Sequence, residues 1–276
     1  YQDLPYNTYS HTFTGINKED LKEFLNNKMT LSYSSLDKYY RCPFSFYIGN
    51  VLKLNIYEET FYQLVGTLFH AILEKCLTVE TNYDELWNQE LTNLNHEFNN
   101  KEKFFLSKLK DELLFIIETI KDQENFTNLH DELHEERIYT SLSGNMNITF
   151  TGIIDKIKYK NMNDHTIVAI IDYKTGNPNL DLTTVPYGIG MQLPVYLYLA
   201  KNSKKLTNIK VAGFYLQKVL NNEVNVDKSH SYEQLKKKNL LLQGYSNEDQ
   251  SILSEFDNSY TDSNIIKSMK TKKDYS

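Results

Sequence analysis

The chain has 276 residues, of which 36 are acidic and 30 basic, and its formal net charge is −6. This length suits one large domain or two small ones with a buried core, and an apolar content of 40% with 13% aromatic residues excludes an intrinsically disordered chain. A run of about 18 apolar residues is absent, so no membrane-spanning helix is expected, and the first residues show no signal-peptide pattern.

The acidic charge is concentrated in one part of the chain. Residues 53–150 contain 8 basic and 18 acidic side chains, whereas residues 201–276 contain 13 basic and 9 acidic ones. A negative net charge taken alone argues against a nucleic-acid partner, because phosphate binding depends on lysine and arginine. The uneven distribution weakens this objection, since the acidic stretch can lie on a face away from a substrate.

The first half of the chain contains most of the predicted helices. Residues 1–30 are polar and weakly patterned, and we treat them as a leader of uncertain structure. A helix capped by Ser34 or Ser35 is predicted to continue to about Tyr47 and to end near Gly49. Apolar residues at helical spacing predict further helices over two stretches, residues 61–78 and residues 83–124. The second stretch is expected to form one or two acidic amphipathic helices.

The second half alternates between strands and a helix. A short strand at residues 137–142 leads into a turn at residues 143–145, and residues 147–159 alternate as a half-buried strand does. Residues 166–174 are a near-continuous β-branched run, which is typical of a buried central strand. The last predictions are a helix, a strand and a tail without a predicted element, at residues 185–201, 211–219 and from about 228. This order favours an α/β or α+β fold with a single compact core.

Two carboxylates and a lysine are predicted to meet near the end of the buried strand. Asp155 shares a strand face with Ile153 and Ile157 according to the period of two, and a buried carboxylate is costly unless it is paired or binds a metal. Asp172 and Lys174 are two residues apart, so their side chains point to one face at the end of their strand. The three charged groups therefore converge on one place.

Such a group is suited to a hard divalent cation. Magnesium and manganese prefer carboxylates and backbone carbonyls, and Tyr173 is the natural source of the carbonyl. Lys174 would orient or help to activate a metal-bound water and offset charge developing on a phosphate. The structural alternative is an ion pair between Asp172 and Lys174 at the strand end, with Asp155 as a capped polar residue. The joint pattern of GIID at residues 152–155 and DYKTG at residues 172–176 favours the functional interpretation.

Five short motifs resemble those of the PD-(D/E)XK nuclease superfamily in its RecB-like branch. They are YRCPF at residues 40–44, GTLFH at 66–70, GIID at 152–155, DYKTG at 172–176 and QLPVY at 192–196. The resemblance extends from about residue 31 to residue 220. It implies an α/β fold with the restriction-endonuclease-like core, which is a mixed central sheet flanked by helices, and a magnesium- or manganese-dependent site that cuts DNA phosphodiesters.

The resemblance also implies a domain organisation. Residues 31–276 would form a single nuclease domain after the leader. Its parts would be an acidic helical insertion, the catalytic core and a polar C-terminal tail, at residues 80–130, 135–220 and 228–276. The chain looks most like the C-terminal nuclease domain of an AddB-type ATP-dependent helicase–nuclease subunit.

Roles for individual residues follow from the matched motifs. Asp155 and Asp172 would be the metal carboxylates, Lys174 the catalytic lysine and His70 an additional metal ligand. From the residues alone, His70 lies on one helix face with Gly66, a glycine that permits close approach by another backbone. A histidine on a helix is more often an ordinary surface or core residue, so its role depends on the resemblance.

Three further residues are candidates for a supporting role. Gln192 and Tyr196 are four residues apart on one helix face, and they would contact substrate or support Lys174. Their alternative is a polar stripe on a packed helix. Glu136, just before the strand at residues 137–142, would be a supporting acid behind the ligands.

The two cysteines, Cys42 and Cys76, cannot form a disulfide framework, which favours a reducing cytoplasm. In AddB-like proteins and CRISPR-associated RecB-like exonucleases, a cysteine in the context of Cys42 is one ligand of an iron–sulfur cluster. No cysteine follows Cys76, and two cysteines cannot supply a four-cysteine cluster. Either the lineage lacks the cluster or a longer parent protein contains the other ligands. Cys76 lies on an apolar helix face and is most simply a core residue.

These features predict a metal-dependent DNA nuclease, most simply an exonuclease, from a helicase–nuclease that processes double-strand breaks. The phosphate-binding loop of ATPases is absent, so the motor would reside in an AddA-type helicase subunit. One alternative is a stand-alone or CRISPR-associated RecB-like exonuclease, and another is an inactive DNA-binding scaffold. The net charge predicts modest DNA affinity for this chain alone.

Overall fold

The computed structural model describes residues 15–54, 59–78, 81–142, 144–176, 181–220, 224, 229–267 and 269. The α-helices are α1 (Lys18–Phe24), α2 (Tyr33–Arg41), α3 (Pro43–Phe46), α4 (Phe61–Thr78), α5 (Tyr83–Asn93), α6 (Asn100–Gln123), α7 (Gln192–Lys201), α8 (Tyr232–Asn239) and α9 (Gln250–Phe256). The strands are β1 (Lys28–Leu31), β2 (Asp131–Leu142), β3 (Asn147–Asn161), β4 (Thr166–Lys174), β5 (Ile209–Lys218) and β6 (Gln243–Ser246). None of the helices in these ranges is long and apolar enough to cross a membrane.

The strands form one mixed sheet built around β3. β2 pairs antiparallel with residues 148–159 of β3 and so occupies one edge of that strand. On the other edge, β1 pairs parallel with residues 147–150 and β4 pairs antiparallel with residues 156–161. Among the described strands none pairs with residues 151–155 on this edge, so the sheet opens between β1 and β4. β5 and β6 continue the sheet beyond β4.

Helices cover both faces of the sheet. On one face, α4, α5, α6 and α9 pack against Ile167, Ala169 and Ile171 of β4. On the other face, α7 and part of α2 pack against Val168 and Ile170. Because both faces are covered, β4 is buried along nearly its whole length, as its continuous apolar sequence predicts. The predicted fold class, a mixed sheet flanked by helices, is confirmed.

The first predicted helix is divided in two. Its cap is Ser32, whose hydroxyl accepts the backbone N–H of Ser35, and not Ser34 or Ser35 itself. The helix ends at Cys42, which is extended with φ of −158°. Pro43 follows and disfavours the helical conformation of the residue before it. The chain then starts α3 at Pro43, so the prediction of one continuous helix was wrong.

The predicted helix at residues 185–201 is shorter than expected. A 3₁₀ turn covers Leu182–Tyr187, and α7 begins only at Gln192. Gly188 and Gly190 lie between them with φ of 78° and 70°. These two glycines, both in the left-handed region, separate the 3₁₀ turn from α7.

The predicted leader and tail contain more structure than expected. Of the leader, residues 1–14 lie outside the described residues, while α1 and β1 are formed by its second part. In the tail, α8, β6 and α9 follow residue 228, and their apolar side chains, with those of the segments beside them, join the core. These buried residues are Leu240, Leu242, Ile252, Leu253, Phe256, Ile265 and Ile266. The tail lacked a clear period because its elements are short, with four to eight residues each.

The remaining boundaries differ from the predictions in smaller ways. β2 begins at Asp131 rather than residue 137, and β5 runs from Ile209 to Lys218. The acidic stretch forms two helices, α5 and α6. Position 143 of the predicted turn between β2 and β3 lies outside the described residues.

Candidate active site

The candidate site lies where β4 separates from β3. The register pair of these strands nearest the site joins Lys156 to Ile171. Beyond it, the backbone N–H of Tyr173 donates to Oδ2 of Asp155 over 2.7 Å. The carboxylate thus accepts a backbone donor that strand pairing has released. Asp155 is only 8% exposed, so this hydrogen bond fixes a buried carboxyl group at the opening of the sheet.

In β2 and β3, the two strands that carry the site, the regular alternation of side chains between the two faces of the sheet is interrupted here. We call this interruption the phase change. In β3, Ile154 and Ile157 pack in the same cluster against α7, although they are three residues apart. In β2, Leu133 packs in that cluster, while Glu136 pairs with Lys205, which follows α7, over 2.7 Å. Strict alternation would place residues three apart on opposite faces. Two successive side chains on each strand therefore face the α4 side.

Glu135 and Asp155 lie opposite each other at this phase change. The β2–β3 pairing is regular up to His134 and Lys156, and it resumes at Glu136. Glu135 itself has φ of 46°, in the left-handed region that non-glycine residues rarely adopt. Such a conformation costs about 1–3 kcal/mol and persists only where the surrounding structure enforces it.

His70 of α4 completes a group that suits a metal ion. Its Nδ1 lies 3.5 Å from Oε1 of Glu135 and 3.5 Å from Oδ2 of Asp155. One ligand atom from each of the three residues lies within 4.8 Å of the others. An imidazole nitrogen and two carboxylate oxygens are ordinary ligands of divalent cations. The donor set therefore fits such an ion.

Asp172 lies beside this group and is held by β4 and α7. Its Oδ1 accepts a hydrogen bond from Nε2 of Gln192 over 2.7 Å, and the same nitrogen lies 3.0 Å from the hydroxyl of Tyr196. Its Oδ2 forms an ion pair with Nζ of Lys174. Asp172 is 2% exposed, whereas the Lys174 side chain is 28% exposed. The Lys174 side chain is thus held by the Asp172 carboxylate and remains partly accessible to solvent.

The pKa values of these groups reflect burial first and the neighbouring charges second. Burial raises the pKa of Asp155, the charges of Asp172 and Glu135 add to this increase, and His70 opposes it. Burial also raises the pKa of Asp172, although the pair with Lys174 opposes the increase. For His70, burial acts to lower the pKa, but the surrounding carboxylates outweigh it and the pKa is raised. A bound cation would relieve this repulsion between carboxylates.

Comparison with known proteins identifies the family. The model of the PD-(D/E)XK nuclease superfamily matches residues 30–267. The chain belongs to this superfamily. The predicted membership is therefore confirmed, and the match covers the second half of β1 as well as most of the segment after residue 228.

Among the relatives of this superfamily member are bacterial proteins that are each named as one subunit of an ATP-dependent helicase/deoxyribonuclease. The chain is 27% identical to the one from Thermoanaerobacter sp. (strain X514) over 94% of its length and 31% identical to the one from Carboxydothermus hydrogenoformans over 92%. Both alignments cover 26% of the relative, so the chain spans about a quarter of the length of these proteins. The crystal structure of SSO0001 is 16% identical to this chain, and the match covers 80% of this chain and 82% of that chain with a TM-score of 0.30.

The structure changes the set of candidate ligands that the superfamily motifs predicted. His70 and Asp155 lie together as predicted, whereas Glu135 joins them and Asp172 lies outside the three-residue group. Glu136, the predicted supporting acid, instead faces the α7 side in its pair with Lys205. The period of two could not predict which of the adjacent acids, Glu135 or Glu136, faces His70, because this depends on the phase change in β2.

Gln192 and Tyr196, the predicted supporting residues, lie beside Asp172 and contact it, while their supporting role stays a prediction. The metal-binding role of the Tyr173 carbonyl stays a prediction. Gly66 was predicted to permit the close approach of another backbone segment to α4, and the structure does not place one there among the described residues. Among the described residues outside α4, a Cβ at that position would meet only Oγ1 of Thr175, at 3.5 Å, and no backbone atom within 4 Å.

The YRCPF motif borders the site through the loop before α7. A Cβ on Gly188 would lie 2.4 Å from the ring of Tyr40, so α2, which carries Tyr40, packs directly on this loop. The backbone N–H of Gly190 donates to Oδ1 of Asp37 over 3.2 Å, and Asp37 also pairs with Arg41. The motif therefore positions the loop that leads to Gln192.

Cys42 and Cys76 are in different environments. Cys42 is exposed, and its Sγ accepts the backbone N–H of Ser45 over 3.4 Å as the cap of α3. Cys76 is buried in the core among α4 and its neighbours, as predicted. An iron–sulfur role for Cys42 in a longer parent protein stays a prediction.

Proposed function

We propose that this chain is a divalent-metal-dependent nuclease domain that hydrolyses DNA phosphodiester bonds. The observation that supports this most directly is the proximity of His70, Glu135 and Asp155 to the Asp172–Lys174 pair at one opening of the sheet. The names of the relatives support the wider proposal of an exonuclease within a helicase–nuclease for double-strand-break repair and recombination. DNA, an AddA-type helicase partner and a cytoplasmic location belong to the same proposal.

The proposed ligands of magnesium or manganese are His70, Glu135 and Asp155, with Asp172 and the Tyr173 carbonyl as the further candidates from the sequence. A bound divalent cation would act as a Lewis acid on phosphate oxygen and lower the pKa of water. The buried position of Asp155 keeps competing water away from its carboxylate.

The remaining residues act through position and charge. The partly exposed Lys174 side chain offsets negative charge on a phosphate during hydrolysis. Asp172 holds Lys174 by their ion pair, and Gln192 in turn fixes the Asp172 carboxylate. This chain of contacts directs one positive group towards the opening where Asp155 lies.

The activity is tested by incubating the purified chain with linear single- and double-stranded DNA and either magnesium or manganese. Lys174→Met and Asp155→Asn are each expected to slow cleavage by about 100-fold or more, since each removes a group that stabilises charge in the transition state. Glu136→Gln is the matched control, because its carboxylate faces away from the site, and it should cleave as the wild type does.

Cleavage at the wild-type rate by Lys174→Met or Asp155→Asn would contradict the proposal. Lack of cleavage by the wild type, together with no manganese binding in calorimetry, would support the inactive-scaffold alternative instead. Copurification with a helicase distinguishes the helicase–nuclease assignment from a stand-alone exonuclease.

A further inference from the structure

Tyr39 and Tyr40 at the end of α2 have exposed rings that also pack on other parts of the chain. The two residues are 46% and 52% exposed. Their ring centroids lie 5.5 Å apart at an interplanar angle of 80°, and the Tyr39 ring makes a second edge contact with Phe46 of α3, at 5.4 Å. Tyr40 in turn packs on Gly188, where a Cβ would lie 2.4 Å from its ring. Each ring is therefore held in place while a large part of the residue faces solvent.

Further aromatic surface adjoins these two rings along the chain. Phe44 of α3 is 72% exposed, and Tyr187, which precedes Gly188, is 74% exposed. We call Tyr39, Tyr40, Phe44 and Tyr187 the aromatic patch. Single exposed apolar side chains are common on protein surfaces, whereas several together mark a site of interaction. The aromatic patch is therefore a candidate interaction surface.

The charge of this region differs from that of the whole chain. Residues 32–54 contain three basic side chains, Lys38, Arg41 and Lys53, and one acidic side chain, Asp37, whereas the whole chain has a net charge of −6. The Arg41 side chain is 59% exposed, and its Nε donates to Asp37 over 2.6 Å, which fixes the guanidinium group. Proteins that bind single-stranded nucleic acid combine basic groups, which attract phosphates, with aromatic rings on which bases stack. A purely apolar partner would gain nothing from the basic groups.

The aromatic patch is continuous with the candidate active site. α2 begins at Tyr33, whose pKa is raised by burial first and also by the charges of Asp37 and Asp172, so this end of the helix lies near the Asp172 carboxylate. Tyr40 follows about 10 Å further along the helix axis. The loop on which Tyr40 packs leads to Gln192, which donates to Asp172. A strand held by the patch would reach the site within a few nucleotides.

We propose that the aromatic patch binds the unpaired bases of a DNA strand by stacking, and that Arg41 binds the phosphates beside them. The bases of a duplex are already stacked on one another, so the patch favours a single strand over a blunt duplex. It holds the strand next to the site and takes no part in hydrolysis. The inference rests on the proposed function for the choice of DNA as partner, but binding at the patch requires neither metal nor cleavage.

The contribution of the rings is measured by fluorescence anisotropy of a labelled oligothymidylate of about 16 nucleotides with the full chain, at low salt and with a chelator to prevent cleavage. Tyr39→Leu and Tyr40→Leu should each weaken binding at least about fivefold, because each removes a ring on which a base can stack. Tyr39→Phe and Tyr40→Phe retain the ring and should recover most of the affinity. Phe104→Leu is the matched control, since Phe104 is 60% exposed on α6 at the other face of the sheet, and it should bind as the wild type does.

A strand of the same length without bases separates stacking from phosphate binding. The two leucine variants should bind this base-free strand as tightly as the wild type does, because the phosphate contacts are unchanged. Arg41→Gln should instead weaken binding of both strands and reduce the dependence of the affinity on salt. Equal losses by the leucine variants for both strands would overturn the inference, since stacking acts only on bases.

Other results would also overturn the inference. These are no binding of oligothymidylate by the wild type, and an unchanged affinity in both leucine variants. If the same variants convert a dimer of the chain to monomer in ultracentrifugation while the DNA affinity is unchanged, the patch is an interface between two copies. If circular dichroism shows that Tyr40→Leu does not fold, Phe44→Leu takes its place.

Cleavage tests the proposed function separately. A wild-type chain that binds oligothymidylate through the rings but cleaves no DNA with manganese would contradict the nuclease proposal and support this inference. Cleavage of linear DNA by a chain whose affinity does not depend on Tyr39 and Tyr40 would overturn the inference and support the nuclease proposal.

Discussion

Glu135 combines backbone strain with charge repulsion in a single residue. Its φ is 46°, and its carboxylate lies beside His70 and close to Asp155, whose pKa its charge helps to raise. The strain and the repulsion from Asp155 each oppose folding, and the contact with His70 offsets only part of this cost, while the same geometry places a Glu135 oxygen where a cation would bind. At the residue scale, the site is therefore expected to trade stability for metal affinity.

We expect Glu135→Asn to stabilise the metal-free protein. Asparagine adopts the left-handed region more readily and carries no charge, so the free energy of unfolding in the presence of a chelator should rise by about 1 kcal/mol. Manganese affinity should fall at least tenfold, because one ligand oxygen is lost. Urea unfolding and calorimetry measure the two effects. Glu136→Gln is the control, and an unchanged manganese affinity in Glu135→Asn would remove Glu135 from the proposed ligands.

Glu132 predicts a pH dependence of stability. Burial acts to raise its pKa, but the hydrogen bond with His134 and the charges of Lys156 and Lys158 outweigh burial and lower the pKa below its ordinary value of 4.5. The unfolded chain then binds the proton more tightly than the folded one, so this contribution is present above about pH 4.5 and is lost as the pH falls further.

The variant Glu132→Gln isolates this contribution. At neutral pH it should be less stable than the wild type, and the difference should shrink as the pH falls below about 4.5. Urea unfolding of both proteins across this range checks the prediction. A difference that stays constant with pH would mean that Glu132 contributes by packing rather than by its charge.

At the scale of elements, the position of α7 depends on one glycine of β3. A Cβ on Gly152 would lie 2.5 Å from Cδ1 of Leu199 and 3.7 Å from the ring of Tyr196. The GIID motif therefore combines two functions of β3, since Gly152 admits the helix that carries Gln192 while Asp155 turns to the other side. The sequence pattern contained both residues, but only the packing of α7 on β3 explains why residue 152 has no side chain.

Gly152→Ala is expected to destabilise the protein by about 1–3 kcal/mol, because the methyl group forces α7 away from the sheet. Gly66→Ala is the matched comparison, since its Cβ would make only an ordinary contact with Thr175. In the middle of α4, that change should be neutral or stabilise the protein by up to about 1 kcal/mol. Urea unfolding distinguishes them, and equal effects of the two substitutions would contradict the role assigned to Gly152.

At the scale of the whole molecule, the segment after residue 228 is part of the main core. Phe256 of α9 is 1% exposed and stacks on Tyr215 of β5 with ring centroids 5.1 Å apart. The family match extends to residue 267 and so includes this segment. The sheet that carries the candidate site is therefore stabilised by a part of the chain whose sequence looked featureless.

Phe256→Ala should reduce the free energy of unfolding by about 3–5 kcal/mol, as expected for an aromatic residue removed from a packed core. Phe105→Ala on α6 provides the control, because Phe105 is 44% exposed, and its effect should be within about 0.5 kcal/mol. Thermal and urea unfolding measure both. A small effect of Phe256→Ala would show that the segment after residue 228 is an appendage rather than core.

The sequence by itself determined the features that depend on local pattern. The apolar run of β4, the helical period of α4 and the five motifs predicted the fold class, the superfamily and most residues that meet at the site. Pro43 also carried the signal that ends α2, although the aromatic residues on both sides suggested one helix. These features follow from neighbours within a few positions along the chain.

Only the tertiary structure decided which acid faces the site. A regular period of two cannot reveal that β2 and β3 change phase together, because the change depends on contacts between the strands and the helices packed on them. The same holds for Glu135 in place of Glu136, for the fit of α7 over Gly152, and for the burial of Phe256. In each case the deciding interaction joins residues far apart in sequence, and local preference carries no information about them.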